Sequence, residues 1–339
     1  MNLIKVTLRL SILLNFLFLQ CSGGQNKNSN NNVDSPLKLV ATVPLPGVNG
    51  RIDHLAYNRN RHLLYIAALG NNTLEVVDLK TKKVIQSIRN LAEPQGILYL
   101  PEKDVIFVAN GGNGICKVFN AKTYEETGSI KLNGDADNVR YDPASGKIYV
   151  GFGEGSIAII DGVTFNQMGE VKLPGHPESF QLNNKVKKLF VNVPGARLID
   201  AIDLNKRKIE KEWRIEDARS NFPMALDTTH NRLFIGCRRP SELLVMSSIT
   251  GDKVASLNID SDTDDIFYDE NAGLIYVSCG GGYIDIIRQI DSDNYKILSK
   301  IKTRSGARTA LFVPDLNELF LAAPARTGNE AQIMIYKKQ

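Results

Sequence analysis

Four carboxylates stand at one phase of a long repeat: Asp53, Asp137, Glu178 and Asp264. Each lies in a short segment of common shape, and the chain holds seven such segments: RIDHLAY, EPQGILY, DADNVRY, HPESFQL, NFPMAL, DTDDIFY and ARTALF. At the shared phase the other three carry Gln95, Phe222 and Arg308. The next position holds His54, Gly96, Asn138, Ser179, Pro223, Asp265 and Thr309, and two residues before the shared phase stand Arg51, Glu93, Asp135, His176, Ser220, Asp262 and Gly306. Carboxylates gathered around one axis could hold a divalent cation, which prefers oxygen ligands. They could equally hold a cationic ligand, or Arg308 itself. His54 and His176 could ligate a metal or move a proton. The structural alternative is that Asp and Asn at strand starts bond local backbone N–H groups, and that the ring holds only water.

These residues need elements that bring distant segments together. The segments end at Tyr57, Tyr99, Tyr141, Leu182, Leu226, Tyr268 and Phe312, at spacings of 42, 42, 41, 44, 42 and 44. After each comes a second apolar run (LLYIAA, VIFVAN, KIYVGF, KLFVNV, RLFIGC, LIYVSC, ELFLAA) and then a third (TLEVVDL, ICKVFN, SIAIID, LIDAID, ELLVMS, YIDIIR, QIMIY). Six of the seven continue into a fourth, such as VIQSIRN or VASLNID. The patterns are period-two alternations or short apolar runs separated by turn residues, so they are strands rather than helices. Asp78, Asn120, Asp161 and Asp203 close third strands, where a short acceptor caps its own turn.

Four strands in roughly 42 residues make one blade of a β-propeller. The C-terminal unit supplies only three. Its missing strand is expected at the other terminus, in Leu39–Pro46, which would close the ring and remove the exposed edges of an open array. The expected fold is therefore all-β: a seven-bladed β-propeller of four-stranded antiparallel blades, the last closed by the N-terminal strand.

The stretches LYIAALGNNTLEVVDLKTKKVIQSI (64–88), IFVANGGNGICKVFNAKT (106–123) and IYVSCGGGYIDII (275–287) resemble the YVTN-type seven-bladed propellers, and more closely their YncE-like secreted bacterial members. The resemblance covers residue 38 to the C-terminus and is specific to fold, not to activity. In a propeller the first strands line the central channel, and the fourth-to-first and second-to-third loops open on one face. That face would gather the acidic ring with His54, Asn138, His176 and Arg308. A rim of Arg197, Arg238, Arg239 and Arg326, with Asn71, Asn72 and Glu154, comes from the second-to-third loops. The candidate ligand-binding set is Asp53, His54, Asp137, Asn138, His176, Glu178, Asp264, Arg308 and Arg238. His62 and His230 fall in turns on the other face.

Residues 1–20 carry Lys5 and Arg9 ahead of an apolar run from Ser11 to Leu19, broken only by Asn15. That run is too short to span a bilayer and suits a secretory signal. Cys21 follows, and the arrangement resembles the lipobox of bacterial lipoproteins, although Phe18-Leu19-Gln20 departs from its usual small residues. The resemblance implies lipid attachment at Cys21 and an address in the bacterial cell envelope, on its periplasmic or extracellular side. Gln25–Asp34, QNKNSNNNVD, is too polar to bury anything. The expected organisation is a signal peptide over 1–20, a disordered tether over 21–37 and the propeller over 38–339.

Composition excludes other classes. The 339 residues hold 41 Lys+Arg against 37 Asp+Glu and are 43% hydrophobic, which fits a globular chain and not a nucleic-acid surface. Apart from Cys21 the cysteines are Cys116, Cys237 and Cys279, expected as free buried thiols. The chain has no CxxCH for haem, and no P-loop, HExxH or GxSxG. The reading is an envelope-anchored binding protein for a small molecule, glycan or protein at the funnel face. The alternative is a metal-assisted hydrolase or lyase like the lactonase-type propellers, whose motifs this chain does not match closely. A docking subunit for a redox enzyme, as in the amine-dehydrogenase propellers, has no cofactor motif behind it.

Overall fold

A computed structural model describes residues 35–339. The signal peptide, Cys21 and nearly all of the expected tether lie outside the described residues. Among those described, 28 strands form seven four-stranded antiparallel sheets, with two short 3-10 turns at Leu69–Asn71 and Pro314–Leu316. None of the described helices is long and apolar enough to cross a membrane. Blades 1 to 6 are consecutive in sequence. Blade 7 takes Thr309–Val313, Glu318–Ala323 and Gln332–Lys338 from the C-terminus, and its fourth strand is Leu37–Pro44. That strand pairs from Leu37 opposite Lys338 to Pro44 opposite Gln332. It begins two residues earlier than the closing segment read from the sequence, and buried Leu37 belongs to the propeller rather than to the tether.

Each strand's pattern follows from its place in the blade. Second strands are mostly apolar and buried, as in Leu63–Ala68 and Leu274–Cys279, because neighbouring blades cover both of their faces. Fourth strands alternate and are largely exposed, as in Lys83–Ile88. The core is a set of clusters between adjacent blades. The one at the seam joins Val43 and Leu45 of the closing segment to Ile52, Leu55 and Ile66 of blade 1 and to Phe320 and Ile333 of blade 7.

Turn chemistry holds as read. Asp161 Oδ1 accepts from the backbone N–H of Val163 and Thr164 at 2.9 and 2.7 Å, and Asp203 Oδ1 accepts from Asn205 and Lys206, each at 2.9 Å. Cys116, Cys237 and Cys279 are buried free thiols.

Register carries the repeat further. Every blade has a shift between its third and fourth strands, for example at Val76/Val77 and Ile159/Ile160. A second shift marks the first strands of blades 2, 3, 5 and 6, at Pro94/Ile97, Ala136/Val139, Asn221/Met224 and Thr263/Asp265. These shifts bracket Gln95, Asp137, Phe222 and Asp264. A bulge re-aims the side chains it contains, so the sequence repeat and the backbone irregularity coincide at the channel mouth.

Candidate functional site

First strands enter the sheets at the channel mouth, so the seven ring positions converge there although they span more than 250 residues of chain. Close approach is built in at Gly96, where a Cβ would lie 2.1 Å from the backbone oxygen of Asp137. Any side chain at Gly96 would push apart the first strands of blades 2 and 3.

The structure divides the candidate residues into an interlocked group and an open group. In the first, Arg238 donates from NH2 to Asp264 and from Nε to the Thr263 carbonyl at 2.9 Å. Arg308 meets the same carboxylate through Nε at 2.9 Å and donates to both oxygens of Asp262 at 2.7 and 2.9 Å. Phe222, which interrupts the acidic ring, lies under the Arg238 guanidinium at 4.0 Å, a stacked cation–π contact. The two interruptions, Phe222 and Arg308, therefore serve to position cations on Asp264. Burial raises the Asp264 carboxyl above its ordinary range, and Arg308 and Arg238 oppose that rise. Asp53 accepts from Arg51 NH2 at 2.7 Å.

His54 reaches from blade 1 toward blade 3. Arg140 NH1 donates to Asn138 Oδ1, which turns the Asn138 amide so that Nδ2 faces His54 Nε2 at 3.0 Å. Nδ2 can only donate, so Nε2 accepts and the neutral ring carries its proton on Nδ1. Burial holds the imidazole below its usual value, outweighing Asp53. The Nε2 lone pair expected for a metal or a proton is thus occupied. His176 directs Nδ1 to the Gly153 carbonyl at 2.6 Å, a structural tie between blades 3 and 4.

Asp137 and Glu178 form the open group. Asp137 is 8% exposed, and it meets no cation, only the neutral His54 ring at 3.8 Å from Nε2. Neither carboxyl receives a hydrogen bond among the described residues. Burial pushes Asp137 well above the carboxylate range, with Asp53 and Glu178 adding to the rise. Burial likewise pushes Glu178 up to about 7, with His176 and Arg238 opposing and Asp264 and Asp53 adding.

Beneath the ring runs a channel of about 410 Å³, lined by His54, Arg140, Ser179, Gln181 and Asp265 among apolar first-strand residues. Asp265 is also pushed well up by burial, and it accepts from the Ala310 N–H at 2.7 Å. A larger depression of about 650 Å³, bordered by Lys131, Gln167 and Lys172, lies on the outer strands of blades 2 and 3, away from the convergence. There Lys172 already pairs with Glu170 at 2.6 Å.

Among the described residues no group of three or more His, Cys, Asp or Glu side chains is arranged to hold a metal ion. The four-carboxylate cation site imagined from the repeat does not fit this geometry, because Asp53 and Asp264 are turned onto arginines. Sequence reasoning missed Arg140, which lies two residues after Asn138 and so on the same face of a channel-lining strand. Arg51, Asp262 and Asp265 stand in the aligned rows, but repeat phase alone does not single them out.

No family model matches this chain. No curated protein matches it either. Among solved structures it is similar to a chain of the Kuenenia stuttgartiensis hydrazine synthase, at 15% identity and a TM-score of 0.73, over 86% of this chain and 98% of that one. It is similar also to a chain in the crystal structure of a mitotic checkpoint complex, at 11% identity and a TM-score of 0.75, over 96% and 99%. At such identities the shared property is the fold: the chain is a seven-bladed β-propeller.

Proposed function

We propose that this propeller is an envelope-anchored binding protein that takes its ligand at the funnel face. A propeller is a general scaffold for binding and does not specify the partner. The observation that carries the reading is the condition of Asp137 and Glu178. Asp137, buried, and Glu178, half-buried, lack hydrogen-bond partners from the described residues at the channel mouth, and partial burial of a carboxyl without such partners carries a cost. A ligand bonded to both would remove that cost. The anchoring half of the reading rests on the lipobox-like segment ending at Cys21.

The test is a thermal-shift screen of the full chain against glycans, peptides, amines and organic acids, followed by hydrogen–deuterium exchange on each hit. The expected result is protection at residues 51–54, 135–138, 176–179, 262–265 and 306–309. Hits that protect only the turns on the opposite face would refute the funnel as the site.

A further inference from the structure

The funnel's charges are paired unevenly around the ring. Asp264 carries Arg238 and Arg308, and Asp53 carries Arg51, whereas Asp137 and Glu178 of blades 3 and 4 are left without cations. The opposite imbalance occurs across the ring, where blade 7 meets blade 1. There a cavity of about 300 Å³ is lined by Arg326 together with Arg51 and Arg308, which are already paired with ring acids, and has Asp262 as its one acid. Arg326 has no carboxylate within ion-pair distance among the described residues, and its guanidinium lies against Gly306. Beside it the Nε of Arg304 is buried without an acceptor.

A path of contacts links the two regions. Contacts of 2.7 Å from Arg51 to Asp53, 3.8 Å from Asp53 to His54 Nε2, and 3.8 Å from Nε2 to Asp137 connect one to the other. A chain of two or three residues spans roughly 7–11 Å at about 3.3–3.6 Å per residue, the same order of length as that path from Arg51 at the seam cavity to Asp137. We propose that the funnel takes a short zwitterionic peptide, its amino terminus seated at Asp137 and Glu178 and its carboxylate in the arginine pocket at the seam of blades 7 and 1. An ammonium offers three donors and needs no three-ligand cage, so it suits two open carboxyls better than a metal ion does. Guanidinium groups suit a carboxylate through their paired donors. The assignment rests on the funnel being the ligand site and adds the class of ligand.

The experiment is titration calorimetry at pH 8 on the full chain with zwitterionic tripeptides, and with the same peptides N-acetylated or C-amidated. Blocking either end should weaken binding at least about tenfold, equivalent to about 1.4 kcal/mol. E178Q should weaken the free peptide to a similar degree while leaving the N-acetyl form unchanged, and R326A should mirror this with the C-amide. Circular dichroism identifies any variant that has not folded. As a second measurement on the wild type, binding near pH 7 should release protons, seen as heat that depends on the buffer's ionisation enthalpy. Equal binding of blocked and free peptides, or no binding at about 10 mM, overturns the proposal. If tripeptides fail while another compound protects the funnel segments, the ligand class is wrong and the funnel reading stands. If a tripeptide binds but protects other segments, both are wrong.

Discussion

Asp137 and His54 face each other across the channel mouth, 3.8 Å from carboxylate oxygen to Nε2, although they come from blades 3 and 1. That lone pair is already bonded to Asn138, whose amide Arg140 orients. The pair is thus a contact between a neutral imidazole and a carboxyl without a donor. It leaves Asp137 in the open half of the ring's acids, whereas arginines satisfy Asp53 and Asp264.

The open half gives stability a pH dependence. The Glu178 carboxyl, pushed up to about 7 in the fold from an ordinary 4.5, faces His176, Asp264, Asp53, Arg238 and Asp137. Because the folded state holds this proton more tightly, its contribution is intact below about pH 4.5 and is lost as pH rises through about 7. Glu178→Gln should flatten that slope and make the protein more stable at pH 8, by on the order of 1–3 kcal/mol. Urea unfolding at pH 5 and pH 8 measures it, and a variant no more stable than wild type at pH 8 contradicts the account.

Asp200 is a second misplaced charge, far from the funnel. It lies in the third strand of blade 4, fully buried, with neither oxygen hydrogen-bonded. Burial, with Glu212 adding, pushes its carboxyl up to about 7. Its equivalent Glu75 in blade 1 accepts from Thr73 and Ser87 at 2.6 and 2.9 Å. Asp200→Val should stabilise the protein by on the order of 2–4 kcal/mol at pH 8 and by less at pH 5, because the ionised form carries the greater burial cost. Thermal unfolding at the two pH values gives the comparison, and a lower melting temperature at pH 8 would argue against it.

Ring closure depends on Leu37–Pro44. Deleting residues 1–36 should leave the melting temperature nearly unchanged. Deleting 1–46 removes buried Leu37, Val43 and Leu45, each contributing about 1.5–3 kcal/mol, and exposes the third strand of blade 7 as an edge. A melting temperature lower by many degrees, with concentration-dependent aggregation, is expected. Identical melting curves would falsify closure as a source of stability.

Lipid attachment is tested at Cys21. Cys21→Ala should move the protein from the membrane fraction to the soluble fraction and abolish labelling by a radioactive fatty acid. Retention of both in the variant would rule out that cysteine as the anchor.

The repeat, the blade count and the split last blade were legible in the sequence because each follows from local pattern. Period-two alternation marks strands, the 41–44-residue recurrence counts blades, and a unit one strand short points to the other terminus. The convergence of Asp53, Asp137, Glu178 and Asp264 was legible for the same reason, since repeat phase fixes ring position. Their pairing was not. Arg238 is held by the face of Phe222 and reaches the next blade, Arg308 bridges Asp262 and Asp264, and Arg140 acts through Asn138 on a histidine two blades away. The bonds of Arg238 to Asp264, of Arg308 to Asp262 and Asp264, and of Asn138 to His54 join residues from different blades, and only the closed ring sets their distances. The sequence thus determined which groups meet at the mouth of the channel. The tertiary structure decided which are neutralised, because side-chain reach and burial across blades leave no trace in the periodicity of a single blade.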